Sequence, residues 1–150
     1  MLSGKLIQLI EAHQEQIAAN VIREIRAHPD LAHLRKLPDA ELRERGQKVL
    51  ENLGTWLGTS QETELARNYE TLGRARFEAS IPLHESVRAL CILKDKMIDF
   101  VKQNGVVGNT LDLYAQEELQ RRVGRFFDSL VIHMVRGYES AWHRVAHLAA

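Results

Sequence analysis

The chain has little that would cross-link it or interrupt it. Its 150 residues include one cysteine, Cys91, and three prolines, Pro29, Pro38 and Pro82. A single thiol excludes a disulfide within the chain, so the fold has to rest on packing, and a reducing, cytoplasmic setting is expected. An excess of charge of either sign is also missing, since 20 Lys and Arg balance 20 Asp and Glu. With no global field to attract polyanions or anionic lipid, neither a nucleic-acid nor a membrane partner is expected. No run of about 18 apolar residues occurs, which excludes a spanning helix. The opening MLSGKLIQLIEAHQ has neither the unbroken apolar segment nor the small-residue cleavage site of a signal peptide. Reaction signatures are absent as well: there is no Gly-x-Ser-x-Gly, P-loop, HExxH or Cys-x-x-Cys, and no enzyme is expected.

What remains is helical periodicity. Strand-like alternation is missing, and the prolines, with the glycine pairs Gly54/Gly58 and Gly105/Gly108, cut the chain into helix-length pieces. Leu6, Ile10, His13, Ile17, Val21 and Ile25 recur at three- and four-residue steps, predicting one helix from Ser3 to His28 that Pro29 stops. A second helix opens with Pro38 in its first turn and turns Leu42, Val49, Leu53 and Trp56 inward. A third follows a capping box of Thr59 and Glu62 and buries Leu65, Tyr69 and Leu72. The fourth runs from the Pro82 corner to about Gln103 on a stripe of Leu83, Val87, Leu90, Met97 and Val101, widened by Cys91, Ile92, Leu93 and Ile98. So apolar a helix belongs at the centre.

The NGVVGN loop, with Asn109 or Thr110 as cap, leads into a last segment without proline, Thr110 to about His147, that reads as one helix of roughly 55 Å. One stripe on it carries Leu119, Val123, Phe126, Leu130, Met134, Ala141, Val145 and Leu148; an adjoining one carries Phe127, Val131, Tyr138 and Trp142. Two apolar faces call for two partners, the bundle and a second copy of the chain. Leu119, Phe127, Val131, Met134, Tyr138 and Trp142 are therefore the expected dimer interface. The fold class is all-α: a single domain over residues 1–150, a five-helix bundle with a long C-terminal helix.

The stretch LGRARFEASIPLHESVRALCILKDKMIDFV joins two helices through a tight corner. Gly73, Arg76, Pro82, Leu83, Glu85, Val87, Ala89 and Leu90 form a pattern that resembles the N-terminal sensory domain of the RsbT co-antagonist proteins, the RsbRD-type domain, with a looser likeness from Leu6 to Tyr138. The resemblance implies a helical sensor module, either up-and-down or globin-like without haem, that acts in bacterial signal transduction without catalysing a reaction. In that family the domain usually precedes an effector such as a STAS domain. Here the chain stops soon after its last helix, so the expected action is binding: a homodimer, or heterotypic pairing with a related signalling protein.

Arg74, Arg76 and Glu78 before the corner and Glu85 and Arg88 after it are placed to form ion pairs within the fold. Arg76, Glu85 and Arg88 are also the candidates for holding an anionic ligand or a partner's carboxylate, because a guanidinium presents a bidentate fork. The alternative function is a haem- or metal-binding sensor. His13 and His133 sit on or beside apolar stripes, and Glu139, His143 and His147 share a helix face at ligand spacing. A hydrogen-bonded core histidine and a solvated terminal turn are the simpler readings, so no cofactor or metal is assigned. Cys91 reads as a buried inert thiol and Lys94 as a stem along apolar surface. The GRxR cluster and Arg121/Arg122 lack a recognition helix.

Overall fold

The computed structural model describes residues 3–58 and 62–149. Among these it is all-helical: α1 (Gly4–Ala12), α2 (Gln14–Ala27), α3 (Asp39–Glu51), α4 (Leu53–Trp56), α5 (Glu62–Glu78), α6 (Leu83–Asn104) and α7 (Thr110–Ala149), with a 3₁₀ turn at Leu34–Lys36. No described helix is long and apolar enough to cross a membrane. The Thr59 capping box lies outside the described residues.

Seven α-helices replace the five expected, and two local breaks account for the difference. The first helix divides at His13 (φ −114°, ψ 26°). There the imidazole Nδ1 donates to the Leu9 carbonyl at 2.9 Å, taking the acceptor that His13's own amide would use in an unbroken helix. The His13 amide turns instead to Ile10, three residues back. Its ring packs on Phe100 with centroids 5.1 Å apart, so the break docks α1 and α2 against α6. The second break, at Asn52, sets off the one-turn α4, whose Gly54 amide donates to Glu11. Pro38 stands just before α3 as its cap, rather than inside the first turn.

α7 runs unbroken, about 60 Å for its 40 residues. It packs most extensively on α5 and then on α6, while α2 packs on α3 and α6. With α5 and α6 on adjoining sides, both apolar stripes of α7 are consumed by its own chain as far as Ala141. Leu119, Phe127, Met134 and Tyr138, expected at a dimer seam, are buried in the core, and Val131 is partly buried against it. Trp142 is the one member of that set left exposed, and Val145 and Leu148 join it at the surface.

The α5–α7 crossing is a backbone contact. A Cβ on Gly73 would stand 2.4 Å from the Met134 carbonyl oxygen, and one on Gly137 would stand 2.2 Å from that of Glu70. No side chain fits at either place. α6 also departs from expectation, because Leu83 is exposed and Val87 half-buried. Its first turn directs Glu85 and Ser86 inward, and the apolar face begins only at Leu90 and continues through Leu93, Met97, Phe100 and Val101.

Gly73→Ala and Gly137→Ala are expected to destabilise the fold by about 1–3 kcal/mol each, even after the roughly 1 kcal/mol that alanine gains within a helix. Gly124, also on α7, has open space at its Cβ, and Gly124→Ala is expected to raise stability by up to about 1 kcal/mol. Urea unfolding of the three variants checks the contrast.

Candidate functional site

The corner between α5 and α6 gathers the buried polar side chains Arg76, Glu85 and Ser86. α5 ends with Ser80 in the left-handed region (φ 60°), while the Ile81 amide reaches back to the Arg76 carbonyl at 3.0 Å. That is the helix-terminating arrangement normally assigned to glycine. The next residues are fixed by Tyr138 of α7, whose hydroxyl donates to the Ile81 carbonyl at 2.9 Å. A phenol has one proton, so the 2.7 Å contact between Tyr138 and Ser86 is donated by the Ser86 hydroxyl. Gly137 lets α7 come close enough for its neighbour Tyr138 to reach the corner.

Glu85, 1 % exposed, does not pair with Arg76 or Arg88. Its carboxylate accepts the His33 amide at 2.9 Å, the Leu34 amide at 3.1 Å and the His33 ring Nδ1 at 2.5 Å. It thereby closes the 3₁₀ turn against α6. Burial, the largest influence, works against its charge, but the Leu34 amide and the two His33 donors together outweigh it and hold the carboxyl below its ordinary range. The entry to α3 is fastened separately by Arg26, which donates to the carbonyls of Arg35 and Leu37 and to the Asp39 carboxylate.

Arg76, one turn beyond Gly73, is 8 % exposed, and its guanidinium Nη1 has no hydrogen-bond partner. Burial lowers its pKa, opposed by Glu41 and Tyr138, whereas Arg45 pushes the same way as burial. The side chain borders a cavity of about 60 Å³ at the meeting of α2, α3, α5, α6 and α7. Val21, Ile25, Leu42, Leu72, Leu90 and Met134 form its apolar wall, and Arg45, Tyr69, Arg76 and Ser86 bring the polar groups. Burial pushes the Tyr69 phenol up to about 12, so it keeps its proton at neutral pH.

The three residues expected to form one site are thus separated by role. Arg76 faces a cavity, Glu85 is committed to the 3₁₀ turn, and Arg88 is exposed. Arg45 and Tyr69 complete the polar side of the cavity. Tyr69 was legible as an inward residue of α5 but not as a polar one, and Arg45 carried no signal beyond its charge. The histidines do not gather. His13 is spent on Leu9, and His133 is buried with neither ring nitrogen hydrogen-bonded and Glu70 4.0 Å away. Neither lines the cavity, and His143 and His147 are exposed at the far end of α7. Among the described residues no group of three His, Cys, Asp or Glu side chains could hold a metal ion.

The described residues thus form an all-helical domain in which buried polar groups join α5, α6 and α7 at a corner and Arg76 borders a small cavity. The chain belongs to the family of the RsbT co-antagonist protein rsbRD N-terminal domain, whose model matches residues 15–149. This is a family of regulatory domains in stress signalling. No curated protein and no solved structure matches the chain.

Because folding lowers the Glu85 pKa from its ordinary 4.5, the folded state binds fewer protons than the unfolded one as acid is added. The stabilisation is complete above that value and is lost as pH falls through the lower folded-state pKa. Glu85→Gln is expected to cost roughly 1–3 kcal/mol at neutral pH and to flatten the acid limb of stability against pH. Denaturant unfolding from pH 7 to pH 3 measures both, and an unchanged acid limb would assign it to other carboxylates.

Proposed function

We propose that this domain is a non-enzymatic sensory and interaction module of bacterial stress signalling that pairs with a second copy of itself through the C-terminal turns of α7. Family membership supports the regulatory role. The observation that carries the pairing is the change in α7 after Ala141: Trp142, Val145 and Leu148 are 57, 54 and 79 % exposed and recur every three residues along one side. Leu111, Leu113 and Tyr114, exposed at the other end of the helix, are instead spread around it. Trp142 and Val145 also border a groove of about 930 Å³ whose opposite wall is Phe77, Ile81, Pro82 and Leu83.

An aromatic and two aliphatic side chains next to an apolar groove suit a two-fold contact, in which the strip of each copy enters the groove of the other. This seam replaces the one expected from Leu119, Phe127, Met134 and Tyr138. It lies beside the α5–α6 corner, so a change of packing at the corner would alter the surface offered to the partner. Pairing with a related signalling protein through the same strip is the heterotypic form of this reading.

Sedimentation tests it. The intact chain is expected to sediment at twice the 17.1 kDa of one copy in the micromolar range, and Trp142→Glu/Val145→Glu at that of a single copy, with unchanged helicity. A monomeric intact chain removes the pairing, as does a double variant that still dimerises.

A further inference from the structure

We infer that the partly open cavity bordered by Arg76 is a binding site for a short aliphatic monocarboxylate, whose carboxylate lies against the Arg76 and Arg45 guanidinium groups and whose alkyl chain lies against the apolar wall. A guanidinium cannot give up its proton, so an arginine that a fold buries is normally matched by a carboxylate or by carbonyl acceptors. Arg76 is 92 % buried, yet its Nη1 has no acceptor, although the same corner supplies every acceptor that Tyr138 and Ser86 require. The carboxylate at the corner, Glu85, is taken up by three donors from His33 and Leu34.

The lining matches a fatty acid anion in miniature. Arg45, Arg76 and Tyr69 line the cavity together with leucine, isoleucine, valine and methionine side chains, while the Ser86 hydroxyl at its edge is already committed as donor to Tyr138. Charge alone would equally suit phosphate or sulfate, but either of those would set oxygen against the apolar wall without compensation. Size limits the chain. A water needs about 10–15 Å³ of such space, so the 60 Å³ here admits a molecule of roughly two to four carbons. Arg76 and Tyr69 come from α5, Arg45 from α3, Ser86 from α6 and Met134 from α7, so a bound acid would touch every helix around the corner.

Calling that acid a signal rests on the proposed regulatory function; the binding itself does not. Thermal unfolding and titration calorimetry of the full chain with sodium acetate, propionate and butyrate test it against propionamide, sodium chloride and sodium phosphate at matched ionic strength. Propionate or butyrate is expected to raise Tm by about 5 °C near saturation, with no comparable rise from the amide or the inorganic anions. Arg76→Met keeps the volume and removes the charge, and is expected to weaken binding at least tenfold. Arg45→Gln, at a half-buried position, is expected to weaken it severalfold. The inference is overturned if the intact chain ignores all three acids, if chloride or phosphate acts equally well, or if both variants bind as the intact chain does. Sedimentation in the same buffers separates the two readings: a dimer indifferent to propionate loses only the ligand, and a monomer that binds propionate loses only the pairing.

Discussion

Two glycines in contact set the geometry on which the rest of the fold depends. Where Gly73 of α5 meets Gly137 of α7, their Cα atoms and the carbonyls of Glu70 and Met134 occupy the space that side chains would fill at an ordinary helix crossing. Close approach has consequences on both helices. It brings Tyr138, next to Gly137, within reach of the Ile81 carbonyl, and it carries Arg76, three residues past Gly73, into the interior beside α3 and α6. The polar corner and the buried cation are two results of one steric condition.

The buried polar groups around that crossing differ in how they are satisfied. Glu85 has three donors, Tyr138 has a donor and an acceptor, and Ser86 donates to Tyr138. In a low-dielectric interior these bonds make the corner specific, because any other packing would leave a buried charge or hydroxyl without a partner. Arg76 stands apart from this closed set. The fold bears the cost of its orphan Nη1 close to where it satisfies Glu85, Ser86 and Tyr138, and such local inconsistency is typical of places kept for function rather than stability.

Much of the architecture was legible in the sequence because it follows from local rules. Pro29 and Pro82 bound helices where expected, Asn109 caps α7 through the Asp112 amide at 2.9 Å, and the absence of proline after Thr110 does mean one long helix. What could not be read depends on partners distant in sequence. Periodicity identifies Phe127 and Tyr138 as apolar-face residues, but only the position of α5 and α6 decides that their own chain covers them. The His13 break has no compositional mark, since it arises from a ring nitrogen competing for one carbonyl. Glu85 looked like an ion-pair partner for nearby arginines, whereas its donors come from residues 33 and 34. Gly73 is legible as part of a motif, but its physical role depends on Gly137, 64 residues further along the chain.

These constraints divide α7 into two mechanical parts. Up to Ala141 the helix is held by the glycine crossing, by Tyr138 at the corner and by the Leu119–Leu130–Met134 face in the core, and close-packed interiors of this kind shift between discrete arrangements rather than deform smoothly. Beyond Ala141 no described side chain is buried. A helix is stiff over such a distance, so the exposed strip at Trp142, Val145 and Leu148 can change its direction only if the anchored part moves with it. Since the glycine contact leaves no room for α5 and α7 to approach further, that movement has to be a tilt or a separation about the crossing. Met134, one turn before Gly137, lines the cavity that Arg76 faces. The interior and the strip are therefore joined by a single rigid element, with the glycine pair as its fulcrum.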